Sequence, residues 1–322
     1  EFDLYSGGGL GVTHNQPKTQ ALLGLYLGRI ARGQIVETAK GILLLQKENG
    51  ERKDRRQARW KYTIRRLGVE HVKRELRERF GIEIKDCDPQ PIPPIRYFLG
   101  WNREAGGDDR WFLGVSVENG RICDRNGVRM RTALRTVITE LGLGVRLTPN
   151  QDVLLCHVPG NERARLDQIF ADHGVRPSEE LGRLRRQSMA CPALPTCGLA
   201  MTEAERILPR YADALEEDGL GDVDVIIRMA GCPNGCPRPP TAEIGIYGYG
   251  KNDHVVQVGG SREGTRIGKV LYARAPEEKM VPILRGLVRA IRDHNPRGLP
   301  AGEFLHQTPE DELRRLVGVD LE

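Results

Sequence analysis

Four cysteines constrain this chain more than any other feature. They lie in two short stretches, Cys191-Pro-Ala-Leu-Pro-Thr-Cys197 and Gly231-Cys232-Pro-Asn-Gly-Cys236-Pro-Arg238. These form a C-x5-C pair and a C-x3-C pair with 34 residues between them. Four thiolates are the ligand set of an iron–sulfur cluster, because sulfide-bridged iron is soft and prefers sulfur. Pro192, Pro195, Pro233 and Pro237 stiffen both loops, and Gly235 lets the second turn sharply enough to aim its two sulfurs at one object. Three other readings compete. Zinc also takes four thiolates, but structural zinc sites pair their cysteines across about two to four residues, and C-x5-C is longer. Disulfides suit small secreted domains, whereas 322 residues need no staple and 7 cysteines is an odd count. Buried, unreactive thiols normally lie on periodic strands or helices rather than in Pro/Gly loops.

The length admits one large core or two to three small ones. Hydrophobic content of 39% and charged content of 29% place the chain among soluble globular proteins. No apolar run is long enough to span a bilayer, so no membrane partner is expected. The net charge of +5 suits a small anionic ligand or an acidic protein partner and argues little for nucleic acid. Cysteine usage fits a reducing compartment, so a cytoplasmic location is expected. A plastid location is the alternative, because the chain opens Glu1-Phe-Asp-Leu-Tyr with no initiator Met.

Taken in order, Phe2–Tyr5 alternates like a strand and runs into Gly7-Gly8-Gly9, which is either a close-approach segment for a bulky ligand or an ordinary loop. Periodicity predicts helices over 18–31, 35–48 and 69–80. Between the last two lies a basic block from Arg52 to Arg66, eight basic side chains with one acid, Asp54. On a helix, positions 52, 55, 59 and 62 would share a face able to hold several carboxylates. A solvated face or a nucleic-acid patch is the plainer reading. The proline-rich 85–96 segment reads as a linker. Beyond it, Asn119-Gly120 signals a hairpin between 111–117 and 121–123. A helix over 131–141, strands over 145–148 and 153–158 and a helix over 162–173 complete a β-β-α-β-β-α order, a small α+β sandwich. Cys123 and Cys156 look structural there, and Cys87 is given no role. Thr202-Glu-Ala-Glu205 reads as a capping box opening a helix that Pro209 should kink or split. Asp224–Met229 reads as the strand delivering Cys232, with strands over 243–247 and 254–258. Gly259-Gly260-Ser-Arg262-Glu-Gly264-Thr-Arg266 is a turn that either grips an anion or is merely exposed. A helix over 277–294 and a polar helical tail follow.

The cysteine loops also carry a resemblance. Ser188-Met-Ala-Cys191-Pro-Ala-Leu-Pro-Thr-Cys197, Leu199-Ala-Met-Thr-Glu-Ala-Glu-Arg206 and Gly231-Cys-Pro-Asn-Gly-Cys236 resemble the sirohaem and 4Fe–4S sulfite reductases of the nitrite/sulfite reductase family. Tyr5-Ser-Gly-Gly-Gly-Leu-Gly11, Arg52–Tyr62, Thr148-Pro-Asn-Gln151 and Gly259-Gly260 extend the likeness through most of the chain. Gln46–Tyr62 and Met189–Pro195 are nearest the ferredoxin-dependent type. The resemblance implies that Cys191, Cys197, Cys232 and Cys236 ligate a 4Fe–4S cluster and that Cys236 bridges to the sirohaem iron. It makes Arg52, Arg55, Arg59 and Lys61 partners for the acid groups of sirohaem, with Thr148, Asn150, Gln151, Asn234, Arg262 and Arg266 as further pocket candidates.

The resemblance also implies a mixed α/β (α+β) architecture. It would comprise a sirohaem-binding segment over 1–84, a ferredoxin-like half-domain over 97–176 and a cluster- and sirohaem-binding domain over 185–322. The implied reaction is six-electron reduction of sulfite to sulfide, with ferredoxin preferred over an NADPH-linked flavoprotein as donor. Nitrite reduction on the same cofactors is the alternative, disfavoured by Pro192-Ala-Leu-Pro195 where nitrite-type relatives tend to carry Thr-Gly-Asn. The family is built from two similar halves and this chain matches the carboxyl-terminal one. The basic residues that grip sulfite in relatives come mainly from the other half, so a separate amino-terminal half, or a non-catalytic cluster-binding role, is also in play.

Overall fold

A computed structural model describes residues 1–106 and 108–321. The chain forms a mixed α/β fold around three hydrophobic clusters.

The first cluster gathers Leu27, Ile30, Leu45, Ile64, Val72 and Leu76. Strand β1 (Phe2–Ser6) pairs antiparallel with β2 (Leu25–Ile30), from Phe2 opposite Ile30 to Ser6 opposite Leu25. Helices α1 (Ile35–Asn49), α2 (Trp60–Leu67) and α3 (Val69–Phe80) pack on this ribbon, and α3 ends on Gly81 in the left-handed conformation, as its position predicts. The helix expected over 18–31 is absent; residues 25–30 are a strand. Gly28, at φ +122°, explains the difference: a Cβ there would lie 2.5 Å from the Lys85 carbonyl oxygen, so the chain crosses too close for any side chain. The basic block is not one helix either. Residues 50–54 are irregular, Arg55–Gln57 is a single 3-10 turn capped by Asp54, and α2 starts only at Trp60, so positions 52, 55, 59 and 62 share no helical face.

The second cluster belongs to a four-stranded antiparallel sheet. Its strands are β3 (Gly100–Arg103), β4 (Arg110–Val115), β7 (Gly144–Leu147) and β8 (Val153–Pro159), in spatial order β3-β4-β8-β7. A two-residue ribbon, β5 (Asp124–Arg125) with β6 (Val128–Arg129), precedes helix α4 (Met130–Leu141), and α5 (Arg163–Asp172) follows β8. Ala133, Leu134, Val137, Leu166 and Phe170 bury the helices against the sheet. A β-β-α-β-β-α order is present, but its first two strands are β3 and β4; the strand expected over 121–123 does not form, and neither does a hairpin at Asn119-Gly120. Strand β4 pairs with β3 and β8, and Asn119, at φ 50°, uses its side chain to reach a different unit.

That unit holds the largest cluster. A short helix α6 (Arg183–Gln187) leads into β9 (Met189–Ala190), followed by α7 (Leu208–Glu217), β10 (Ile227–Ala230), β11 (Ile244–Gly250), β12 (Asp253–Val258) and β13 (Lys269–Pro276). The sheet order is β13-β12-β11-β10-β9; β9, β10 and β11 run parallel, and the rest antiparallel. Helix α8 (Glu277–Asp293) buries Met280, Ile283, Leu284, Leu287 and Val288, and α9 (Ala301–Gln307) and α10 (Glu310–Val317) close the core. The capping box does not start a helix. The Glu205 carboxylate is taken by Arg121, Thr202 Oγ1 is buried without a partner among the described residues, and α7 begins later, with Pro209 in its first turn.

The second and third units are joined by polar ties. Asn119 Nδ2 donates to the Glu205 carbonyl at 2.9 Å, and its Oδ1 accepts from the Ala190 N–H at 2.9 Å. Arg121 grips the buried Glu205 carboxylate with two nitrogens, at 2.7 and 2.5 Å.

Candidate cofactor site

The parallel pairing of β9 and β10 positions the cysteines. Arg228 lies opposite Met189 and Met229 opposite Ala190, so both strands run out at the same end of the sheet. Cys191 follows Ala190 directly, and Gly231-Cys232 follows Ala230. Adjacent strands are about 4.8 Å apart, which brings the two loops to one place. The Cys191 N–H donates to the Met229 carbonyl at 3.1 Å, and the Gly231 N–H points at Cys191 Sγ at 3.3 Å. The first loop then folds back: the Cys197 N–H donates to Ala193 O at 2.7 Å, and the N–H groups of Met201 and Thr202 donate to Gly231 O at 2.7 and 3.1 Å. Gly231 is the pivot. A Cβ there would lie 2.6 Å from Ala193 Cβ and 2.8 Å from Thr202 O, so a side chain would force the loops apart.

All four cysteines are free thiols: Cys232 is buried, Cys191 and Cys197 are half-buried, and Cys236 is exposed. Burial pushes the Cys191 thiol up against the lowering effect of the Gly231 and Ala193 N–H groups, and the nearby Cys236 and Cys232 add to the rise. Among the described residues no three His, Cys, Asp or Glu side chains converge tightly enough to hold one metal ion.

The glycine run lies on the second cysteine loop. The Val12 N–H donates to Pro233 O at 3.0 Å, and a Cβ on Gly11 would meet Asn234 O at 2.8 Å. Arg59 Nη1 donates to Gly11 O at 3.2 Å. Arg59 and Asn234, both exposed, thus meet at Gly11, with Asn234 two residues before Cys236, and Arg55 is exposed on the same segment as Arg59. The other basic candidates are committed to the fold. Arg52 donates to Gln46 O and Lys47 O, closing the end of α1. Lys61 is only 2% exposed and donates to Gly9 O, Gly11 O and Gln20 O at 2.9, 3.0 and 2.5 Å, so it holds the glycine run from beneath. Burial, with Arg59 and Arg65 nearby, lowers its pKa to about 8.

Thr148 Oγ1 accepts from the Asn150 and Asp152 N–H groups, shaping the turn that carries Asn150 and Gln151. Gln151 Nε2 donates to Ala190 O at 3.0 Å, one residue before Cys191, and Asn150 Oδ1 accepts from Arg228 at 3.4 Å. This turn therefore backs the cysteine loops. Arg262 and Arg266 stand elsewhere. Arg262 is paired with Asp224 and Glu243 at the opposite ends of β10 and β11 from the cysteines, and Arg266 with Glu303 and the carbonyls of Gly259 and Gly302. Acid partners on the chain itself occupy the turn that the sequence offers as an anion grip. Arg228 was not singled out from the sequence. The available signal was a lone charge inside an apolar strand.

Two segments match family profiles: residues 1–84 match "Nitrite and sulphite reductase 4Fe-4S domain", and residues 102–173 match "Nitrite/Sulfite reductase ferredoxin-like half domain". The cysteine loops lie outside both segments but inside the longer alignments. The chain is 38% identical over 320 residues to a ferredoxin-type sulfite reductase of Synechococcus elongatus, covering 98% of this chain and 51% of that protein. It is 35% identical over 309 residues to the hemoprotein beta-component of an NADPH sulfite reductase from Staphylococcus saprophyticus, covering 94% of this chain and 54% of that protein. The chain thus spans about half the length of the curated relatives it matches. Its fold is similar to that of the Mycobacterium tuberculosis NirA protein, with a TM-score of 0.76 at 23% identity, covering 97% of this chain and 58% of that one. With the cysteine loops, the profiles and the curated relatives in agreement, this chain belongs to the nitrite and sulfite reductase family.

Proposed function

We propose that this chain is the cluster- and sirohaem-carrying half of a sulfite reductase, in which sulfite is reduced by six electrons to sulfide. The observation that carries the reading is the convergence of both cysteine loops at one end of the β9–β10 pair, with Cys236 exposed and with Arg59 and the backbone of Asn234 meeting at Gly11. A 4Fe–4S cluster coupled to sirohaem supplies single-electron storage beside a metal that binds the substrate sulfur. In this reading Cys191, Cys197 and Cys232 hold the cluster against the sheet. Cys236 serves both groups, and Arg55, Arg59 and Asn234 face the carboxylates of the macrocycle. The turn from Thr148 to Gln151 fixes the strand that carries Cys191.

Relatives at this identity include both ferredoxin and NADPH types, and the first is the preferred donor class. Sulfite is preferred over nitrite on Pro192-Ala-Leu-Pro195. A cytoplasmic setting accords with free thiols at this site. Among the described residues no helix is long and apolar enough to cross a membrane.

A second reading is favoured by one observation, the half-length match to the curated relatives: activity requires an amino-terminal half, as part of the same protein or as a second polypeptide. The test is anaerobic turnover of sulfite and nitrite by the cofactor-loaded chain with reduced ferredoxin, alone and with a relative's amino-terminal half. Sulfide from sulfite supports the reading, and the added half decides whether this chain suffices. Loaded protein that reduces neither anion in either arrangement contradicts it.

A further inference from the structure

Strand β10 carries a charge among residues that are otherwise apolar and buried. Arg228 is 4% exposed, yet among the described residues no carboxylate pairs with it. Its Nη1 contacts Met189 Sδ at 3.0 Å and Pro237 O at 3.4 Å, and its Nη2 contacts Asn150 Oδ1 at 3.4 Å. Burial, with Arg238 nearby, pushes its pKa down to about 10, so the guanidinium stays charged at neutral pH. A buried ion without a counter-ion costs several kcal/mol, and none of its three neutral partners offsets that fully. The carbonyl it touches belongs to the residue after Cys236, the residue opposite it in the sheet lies two before Cys191, and Cys232 is four residues further along its own chain. Arg228 therefore sits beneath the attachments of three of the four cysteines.

We propose that Arg228 is the counter-ion of the cluster, holding its reduction potential up; this rests on the cluster reading above. Four thiolates on a cluster core carry net negative charge. Uptake of one electron from a low-potential donor adds one more, with no bond made or broken. A fixed cation below the cluster stabilises the reduced form more than the oxidised one.

The test is a redox titration of the cofactor-loaded protein, following the reduced cluster by electron paramagnetic resonance, on the parent, R228Q, R228K and N150D. R228Q keeps donors for Pro237 and Asn150 but no charge; R228K keeps the charge. N150D sets a carboxylate against the guanidinium without touching β10, and serves if R228Q fails to fold. The inference expects a more negative midpoint in R228Q and N150D, and a midpoint near that of the parent in R228K. An unmoved midpoint in fully loaded R228Q or N150D overturns it, as does an equal shift in R228K. A parent that takes up no cluster overturns this inference and the cluster reading together.

Discussion

Asp152 lies 6% exposed just before β8, accepting the Val117 N–H at 3.3 Å and facing a cavity of about 230 Å³ that Cys123 and Arg186 also line. No cation pairs with it among the described residues, and burial pushes its carboxyl up to about 7. The unfolded carboxyl titrates near the ordinary value of 3.8. Between these values the folded chain holds a proton that the unfolded chain has released, so stability falls as pH rises from about 4 to about 7 and stays lowered above that. Asp152→Asn should therefore be near neutral at pH 4 and stabilising by about 4 kcal/mol at pH 8, as read from denaturant midpoints at the two pH values. An equal effect at both would contradict it. Lys61 provides a second prediction. Its ammonium satisfies three carbonyls of the glycine segment, so Lys61→Met should cost about 2–4 kcal/mol and loosen residues 7–24 in hydrogen exchange. The resemblance offered Lys61 as a partner for an acid group, and nothing in the basic run marks Lys61 and Arg65 as the members that turn toward backbone carbonyls.

At the scale of elements, what was legible depended on whether the signal was local. The ends of α3 and α4 were marked by Gly81 and Gly142, both in the left-handed conformation, and three strands of the four-stranded sheet, β4, β7 and β8, were legible, whereas β3 was not. Asn119-Gly120 misled because a hairpin signal assumes partners adjacent in sequence. The strand partners of β4 are β3 and β8, and Asn119 is spent on Ala190 and Glu205. The capping box failed likewise, since Glu205 answers to Arg121, 84 residues away. Strand β13 passed unread because its facing pattern is irregular against β12, with register shifts at His254/Val256 and Val256/Gln257. The pairing of β9 with β10, which gathers the cysteines, predicts that Gly231→Ala will lower iron and acid-labile sulfide per chain while costing about 1–3 kcal/mol, because the new methyl meets Ala193 and Thr202. Full iron content in a folded Gly231→Ala chain would contradict that role.

Across the whole molecule, three separate cores are tied by polar contacts that no periodicity announces. Arg121–Glu205 is the firmest of these, and because Glu205 is 4% exposed, Arg121→Ala would leave a buried carboxylate unpaired. We expect a loss of about 3 kcal/mol and earlier melting of the contact between the second and third units, seen as raised hydrogen exchange at Asn119 and Ala190. The four cysteines were legible at once because ligand chemistry is written in residue type and spacing. Which arginines are taken up within the chain was not, since their partners are decided by the tertiary fold: Arg262 found Asp224 and Glu243, whereas Arg59, bonded to Gly11 O, stays exposed. The account turns on those cysteines holding a single cluster. Iron, sulfide and zinc analysis of the anaerobically purified chain, with each cysteine changed in turn to serine, tests it most directly. We predict about four iron and four sulfide per parent chain, with about one further iron where sirohaem is bound, and loss of cluster iron and sulfide in the Cys191, Cys197, Cys232 and Cys236 variants but not in those of Cys87, Cys123 and Cys156. Bound zinc without iron, or iron indifferent to those four positions, would contradict it.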